Sequence, residues 1–311
     1  GGVLPWTLLP GTLDEPLLLT RDERGLNLLP NVCTHRGATL VERPCTLHVL
    51  RCGHHGRVFE LDGHLSTAPG FDGLDDFPLP GDNLPRLPWT QWGPALFASL
   101  DPVVREDTWL ARLLLHLGSL PLDRLEPVAA LGRDYHLPYS WVLCCDNLLE
   151  TFHVPYVHPQ LDPALGHDGG ELLLLPSGSL RTIEAADDAP SLPLATRRSS
   201  NARRISSRHA WLFPCTFISA YPWGLRAMLL LPLSPTQTRM VVMGWTWSED
   251  PLDPALAAGF DQLAHEDQRQ LATVARALTA RYRPRPRYSP EHERGVHHFH
   301  RLLTDLLHDD P

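Results

Sequence analysis

The stretch NVCTHRGATLVERPCTLHVLRCGHHGRVF, residues 31–59, holds three cysteines and four histidines. Soft ligands at that density constrain the fold more than any other part of the chain, because thiols and imidazoles that share a metal must be brought together by short loops. The spacing is Cys33-x-His35, sixteen intervening residues, then Cys52-x2-His55. Each pair is followed by a glycine, Gly37 or Gly56, and lies between apolar stretches that read as strands. Two fingers able to close on one centre are therefore expected, with Cys45, His48 and His54 as spacers or supporting groups.

Two centres suit these ligands. Zinc accepts two cysteines and two histidines tetrahedrally. A [2Fe-2S] cluster of Rieske type takes the two cysteines on one iron and the two histidines on the other. Zinc patterns keep both cysteines ahead of both histidines. Here each finger carries one of each, as a Rieske centre requires.

Composition narrows the remaining choices. The chain has 311 residues, enough for two domains or one large one. Net charge is -9, and all 27 basic residues are arginine. With no lysine, Schiff-base catalysis and a P-loop lysine are excluded. No basic stripe suggests nucleic-acid binding. Six cysteines are too few, at this length, for a disulfide scaffold. The apolar runs fall short of the roughly 20 residues of a membrane span. The opening GGVLPWTLLPG lacks the basic region of a signal peptide, so a cytoplasmic protein is expected.

The chain reads as α+β in two domains. Residues 1–104 form a small all-β domain, with hairpins at EPLLLTRDERGLNLLPNV and at RVFELDGHLST, where Asp62-Gly63 supplies a two-residue turn, and a closing strand at WGPALFASL. Residues 105–311 form an antiparallel sheet with long helices, of which DPALAAGFDQLAHEDQRQLATVARALTARY is the clearest.

A second constellation lies in DNLLETFHVPYVHP, residues 146–159. On one helix Asp146, Glu150 and His153 share a face, while Leu148 and Phe152 anchor the other. Pro155 then ends or kinks that helix and lets His158 return beside His153. Two histidines with a carboxylate suggest a facial triad on mononuclear iron(II). In the long helix, Leu256, Phe260, Leu263, Leu271, Val274 and Leu278 form an apolar stripe whose single gap is Asp267. A carboxylate turned into a core needs a metal or a buried arginine as partner. Asp261, His265 and Glu266 fall off the stripe and are expected to face solvent.

CTHRG and CGHHG resemble the two cluster-binding loops of Rieske proteins, and the arginine after the first histidine is typical of Rieske oxygenases. The second loop departs from the family's usual form at Gly53, His54 and Arg57. DNLLETFHVPYVHP and HEDQRQLATVARAL resemble the iron-binding segments of the α-subunit family of Rieske non-haem iron oxygenases, and YSPEHERGVHHFHRLL resembles the family's C-terminal stretch. The resemblance implies a Rieske domain, with Cys33, His35, Cys52 and His55 on the cluster, joined to a helix-grip catalytic domain. It also implies iron(II) held by His153, His158 and Asp267, with Glu150 as the bridging acidic residue; Glu150 and Asp146 are the expected catalytic side chains. A homotrimer, a separate NAD(P)H-dependent reductase with or without a ferredoxin, and O2 complete the implied system. The substrate is a quaternary ammonium compound or an aromatic ring. Trp245, Trp247, Tyr221 and Trp223 could cage a cation, although aromatics on strands usually belong to the core. An electron-transfer protein with a non-catalytic second domain, and a zinc-binding module, are the alternatives. Family members usually carry a further N-terminal segment, whereas this chain starts almost at the first Rieske strand.

Overall fold

The computed structural model describes residues 1–100, 110–161, 170–194, 204–249, 251–283 and 285–308. The chain forms two compact units, Gly1–Glu106 and Asp107–Pro311. The expected boundary at 104/105 lies outside the described residues.

The first unit is all β apart from one short 3-10 turn. Strands β1 (Gly2–Leu8), β2 (Glu15–Asp22), β3 (Gly25–Pro30) and β4 (Cys45–Thr46) make an antiparallel sheet in the order β3-β2-β1-β4. The turn between β2 and β3 closes because Asp22 Oδ1 accepts the N–H groups of Arg24 and Gly25. A second sheet comprises β5 (Val49–Arg51), β6 (Val58–Glu60) and β7 (Leu65–Thr67). Leu18, Leu29, Leu50 and Phe59 are fully buried between these layers, with Cys33 and Cys52 at the edge of the same core.

Two turns differ from expectation. The β6–β7 connection spans four residues rather than two, because Asp62 Oδ1 captures the His64 N–H and Glu60 N–H reaches across to His64 O. WGPALFASL is not one strand. Gly93 and Pro94 turn it into a hairpin of β8 (Trp89–Trp92) and β9 (Ala95–Ala98).

The second unit begins with α1 (Leu110–Leu117), β10 (Glu126–Pro127), β11 (Arg133–Leu137), α2 (Trp141–Leu148) and α3 (Val154–Val157). Strands β12 (Glu171–Leu175), β13 (Gly178–Glu184), β14 (Ile205–Leu212), β15 (Thr216–Tyr221), β16 (Gly224–Ser234) and β17 (Gln237–Thr246) follow. The unit ends with α4 (Pro254–Ala277) and α5 (Arg294–His308). The strands form one antiparallel sheet, β10-β17-β16-β15-β14-β13-β12, with β11 also paired to β17.

The sheet's apolar face and three helices make the core. Leu143 and Cys145 of α2, Leu271 of α4 and Val296 and Phe299 of α5 pack with Trp211, Phe217, Leu230 and Val242 of the sheet. Capping starts the helices where they are needed: Ser140 Oγ accepts the Val142 N–H, and Asp253 Oδ1 accepts the Ala255 N–H ahead of Pro254. This α+β arrangement, an all-β unit followed by an antiparallel sheet with long C-terminal helices, is the expected fold class. The stripe on α4 is buried only in part, since Val274 and Leu278 remain exposed. Among the described residues no helix is long and apolar enough to cross a membrane.

Candidate active site

The two ligand loops of the first unit are built alike. Cys33 N–H donates to Ala38 O at 2.8 Å and Gly37 N–H to Cys33 O at 3.0 Å; Cys52 N–H donates to Arg57 O at 2.8 Å and Gly56 N–H to Cys52 O at 3.1 Å. Gly37 and Gly56 have φ of 74° and 78°, the left-handed region that glycine enters without strain. Both cysteines are buried, His35 is half-buried and His55 exposed. The imidazoles of His35 and His55 meet edge to face with centroids 4.6 Å apart. Burial opposes ionisation of both thiols and prevails at Cys33, whereas backbone N–H groups of His54 and His55 hold Cys52 below the usual thiol value. His35 Nδ1 is buried with no hydrogen-bond partner. An orphaned buried ring nitrogen is costly, and a metal ligand bond would satisfy it. Two thiols and two imidazoles on paired loops therefore fit a Rieske cluster.

Arg57, noted in the sequence only as a departure, links the loops. Its side chain is 4% exposed. Nη1 donates to Thr34 Oγ1 of the first loop at 3.0 Å and pairs with Asp82 at 3.2 Å. The guanidinium also lies over Phe71 and Phe77. The sequence shows only that an arginine follows the second loop.

In the second unit α2 stops at Leu148, earlier than the sequence suggested. Glu150 Oε2 accepts the N–H groups of Phe152 and His153, which gives those donors a partner outside the helix. His153 then sits at the N-cap of α3, and Pro155 lies in its first turn, where a missing N–H does no harm. Pro155 thus opens a new helical turn instead of breaking the old one. Phe152 is exposed and stacks on His292 rather than anchoring the core.

This turn brings the histidines together, with ring centroids 5.3 Å apart. One carboxylate grips Nδ1 of each ring: Glu150 Oε1 at His153, and Glu266 Oε2 at His158 at 2.6 Å. Both Nε2 atoms then face Asp267 Oδ1, at 3.6 Å from His153 and 2.9 Å from His158. Ligand atoms of His153, His158 and Asp267 all lie within 4.8 Å of one another, the only such trio among the described residues. Two imidazoles held through the far nitrogen, with a carboxylate closing the face, fit a mononuclear iron(II) site.

Several side chains depart from the roles expected of them. Glu266 was expected in solvent, yet it also accepts from Gln160 and Gln262. Hydrogen bonds from Gln262, His158 and Gln160 lower its carboxyl to about 2, so it stays ionised. Burial alone would lower the His158 pKa, but Asp267 and Glu266 outweigh it and raise the ring above its ordinary value. Asp261 is likewise not free in solvent, since Arg133 binds it at 2.5 and 2.7 Å and Tyr135 donates to it at 3.1 Å. Asp146 accepts from His300 Nε2 at 2.8 Å. Adjacency to Asp267 in sequence gave no sign of Glu266's contact, because His158 lies 108 residues away.

The trio opens on a cavity of about 280 Å³ within this unit. Tyr221 is the one member of the suspected cage that lines it; Trp223 stacks on Tyr221, and Trp247 is buried and donates to Pro222 O.

Residues 10–78 match the Rieske [2Fe-2S] domain, and residues 122–309 match the ring hydroxylating alpha subunit (catalytic domain). The chain belongs to the Rieske oxygenase α-subunit family. As a family member it is an oxidoreductase of the kind that pairs a [2Fe-2S] cluster with a mononuclear iron, rather than a bare electron carrier. Chloroplastic choline monooxygenase of Spinacia oleracea is 27% identical over 93% of this chain. The chain spans 67% of that enzyme's length. The carnitine monooxygenase oxygenase subunit of Escherichia coli K12 is 24% identical over 96% of this chain and 82% of its own. Naphthalene 1,2-dioxygenase from Rhodococcus sp., bound to indole, shares the fold with a TM-score of 0.71 at 18% identity, over 100% of this chain and 87% of its own.

Proposed function

We propose that this α-subunit hydroxylates a small organic molecule, drawn from quaternary ammonium or aromatic compounds, with O2 and electrons relayed from NAD(P)H. The carrying observation is the trio of His153, His158 and Asp267 opening on a largely apolar cavity. Those three residues hold iron(II), and Cys33, His35, Cys52 and His55 hold the cluster. When bound, the cluster supplies single electrons and the iron supplies open positions for O2 beside the substrate.

The chain's own side chains do the rest. Glu150 and Glu266 each accept a hydrogen bond from the Nδ1–H of a histidine, which fixes the tautomer and presents Nε2 to the metal. Glu150 is the acidic residue through which the two kinds of centre are coupled. Asp146 supports the segment from behind through His300. The apolar lining from Leu263, Leu271 and Phe217 keeps water away from the reacting carbon.

A separate NAD(P)H-dependent reductase, with or without a ferredoxin, is the proposed electron source. A homotrimer of cytoplasmic chains is the proposed assembly. A quaternary ammonium Rieske monooxygenase of similar fold, with a TM-score of 0.71 at 20% identity over 98% of this chain and 84% of its own, is described as transferring electrons between subunits. Oxygen uptake by the iron-loaded protein with a chemical reductant tests the reading. Substrate-dependent uptake with a hydroxylated product is expected; an iron- and cluster-replete protein that consumes no oxygen with any compound of either class would refute it.

A further inference from the structure

Among the described residues Arg57 is the only arginine, aspartate or glutamate that is buried. Burying a charge is costly, so its position calls for a reason. Backbone and side chain tie it to both ligand loops. Its carbonyl accepts the Cys52 N–H at 2.8 Å, and its Nη1 donates at 3.0 Å to Thr34 Oγ1, between Cys33 and His35. The guanidinium carbon lies 4.9 Å from the Phe71 centroid, and Phe71 meets the His35 imidazole edge to face at 5.6 Å. A single aromatic ring therefore touches both the cation and a ligand of the cluster.

Asp82 compensates this charge only in part. One of its oxygens reaches Nη1 at 3.2 Å, while the other accepts the Leu79 N–H at 2.9 Å. Asp82 is 22% exposed against 4% for Arg57, so water screens the carboxylate more than the guanidinium. Arg57 Nε is buried with no hydrogen-bond partner. Among the described residues of the first unit the only other such side-chain atom is His35 Nδ1, which the cluster would satisfy. Arg36, Asp72, Asp75 and Asp76 are the other charged groups on the segments around the loops, and all four are exposed. The field of Arg57 favours the thiolate form of both Cys33 and Cys52.

A cluster on these ligands changes charge as it works. Two Fe(III), two sulfides and two thiolates with neutral imidazoles are formally neutral. One electron turns one Fe(III) into Fe(II) and leaves a single negative charge, with no bond made or broken. A buried cation beside the centre stabilises that reduced form.

We propose that Arg57 sets the reduction potential of the cluster: its buried charge makes the centre easier to reduce, and Asp82 moderates the effect. In turnover the electron comes from the reductase, so Arg57 governs how readily that transfer proceeds. The inference rests on the reading of Cys33, His35, Cys52 and His55 as cluster ligands and adds the group that tunes them.

Mediated redox titration of the cluster-loaded full chain, followed by its visible spectrum, tests this with R57Q, R57K and D82N. At the native midpoint, R57Q should lower the ratio of reduced to oxidised cluster by about tenfold, a midpoint about 59 mV lower for one electron. R57K keeps the charge and should stay within about threefold of the native ratio. D82N removes the opposing charge and should raise the ratio by about threefold. The opposite signs separate a charge effect from a structural pin, whose loss would shift both substitutions alike. D82N also gives an independent reading should R57Q fail to hold the cluster. A midpoint in R57Q that is unchanged or higher, an R57K midpoint as low as that of R57Q, or a D82N midpoint that does not rise would overturn the proposal. A native protein without a Rieske spectrum would refute the cluster reading itself, whereas a native Rieske spectrum with unmoved midpoints refutes the role of Arg57 alone.

Discussion

The two candidate metal sites are assembled in opposite ways. In the first unit the ligands come from two short loops that fold by the same local rule, a cysteine carbonyl receiving the glycine N–H and a cysteine N–H closing on the strand beyond. In the second unit a local turn supplies two histidines, but Asp267 comes from a helix more than a hundred residues later. There the orienting work falls to carboxylates on side chains, Glu150 and Glu266. A loop-built site depends on backbone conformation, and a helix-built site depends on the packing of α3 against α4. Substitutions should therefore separate them.

The largest separation is expected from D267A. Iron at the trio and turnover should both be lost, while the cluster's visible spectrum stays intact, as metal analysis and absorbance will show. Turnover in D267A would mean that another carboxylate closes the site. Next in size is E266Q, which leaves His158 without its carboxylate partner. Iron affinity should fall by roughly 10–100-fold with the cluster unaffected, measured by competition with a chelator. Unchanged affinity would reduce the Glu266 contact to a surface interaction.

R57M sharpens the other side of the comparison. It removes the link between the loops and the stacking on Phe71 and Phe77, so the first unit should lose about 2 kcal/mol, read as earlier bleaching of the cluster in denaturant. Iron at the trio should not change.

The smallest effect is expected at Asp146. Its hydrogen bond raises His300 above the ordinary 6.5, with burial opposing. A raised histidine stabilises the fold fully below pH 6.5 and loses that contribution as pH climbs through the folded-state value. D146N should therefore destabilise the protein by under about 1 kcal/mol in acid, since the pair is a third exposed, and by less in alkali. Melting curves across that window check the sign. A greater loss in alkali would contradict it.

The same contrast explains what could be read from residues alone. Cys33, His35, Cys52 and His55 carry their pattern within 23 residues of chain, and the gap in the α4 stripe pointed to Asp267. Glu266 and Arg57 were not legible, because each acts through a contact between distant segments that no period records. The stop of α2 at Leu148 was misread for a local reason. Helical spacing continues through Glu150 and His153, but the Glu150 carboxylate bonds to the backbone that a longer helix would need. The row of Arg181, His209, Ser219 and Arg226 across β13–β16 was hidden in the same way, since strand register, and not sequence spacing, sets it.

The most direct measurement is iron, zinc and acid-labile sulfide per chain on anaerobically purified protein, with its visible spectrum. About three irons and two sulfides with a Rieske spectrum are predicted, two irons in the loop-built site and one at the trio. Zinc without sulfide, or two irons with the trio unable to take up a third, would contradict the account.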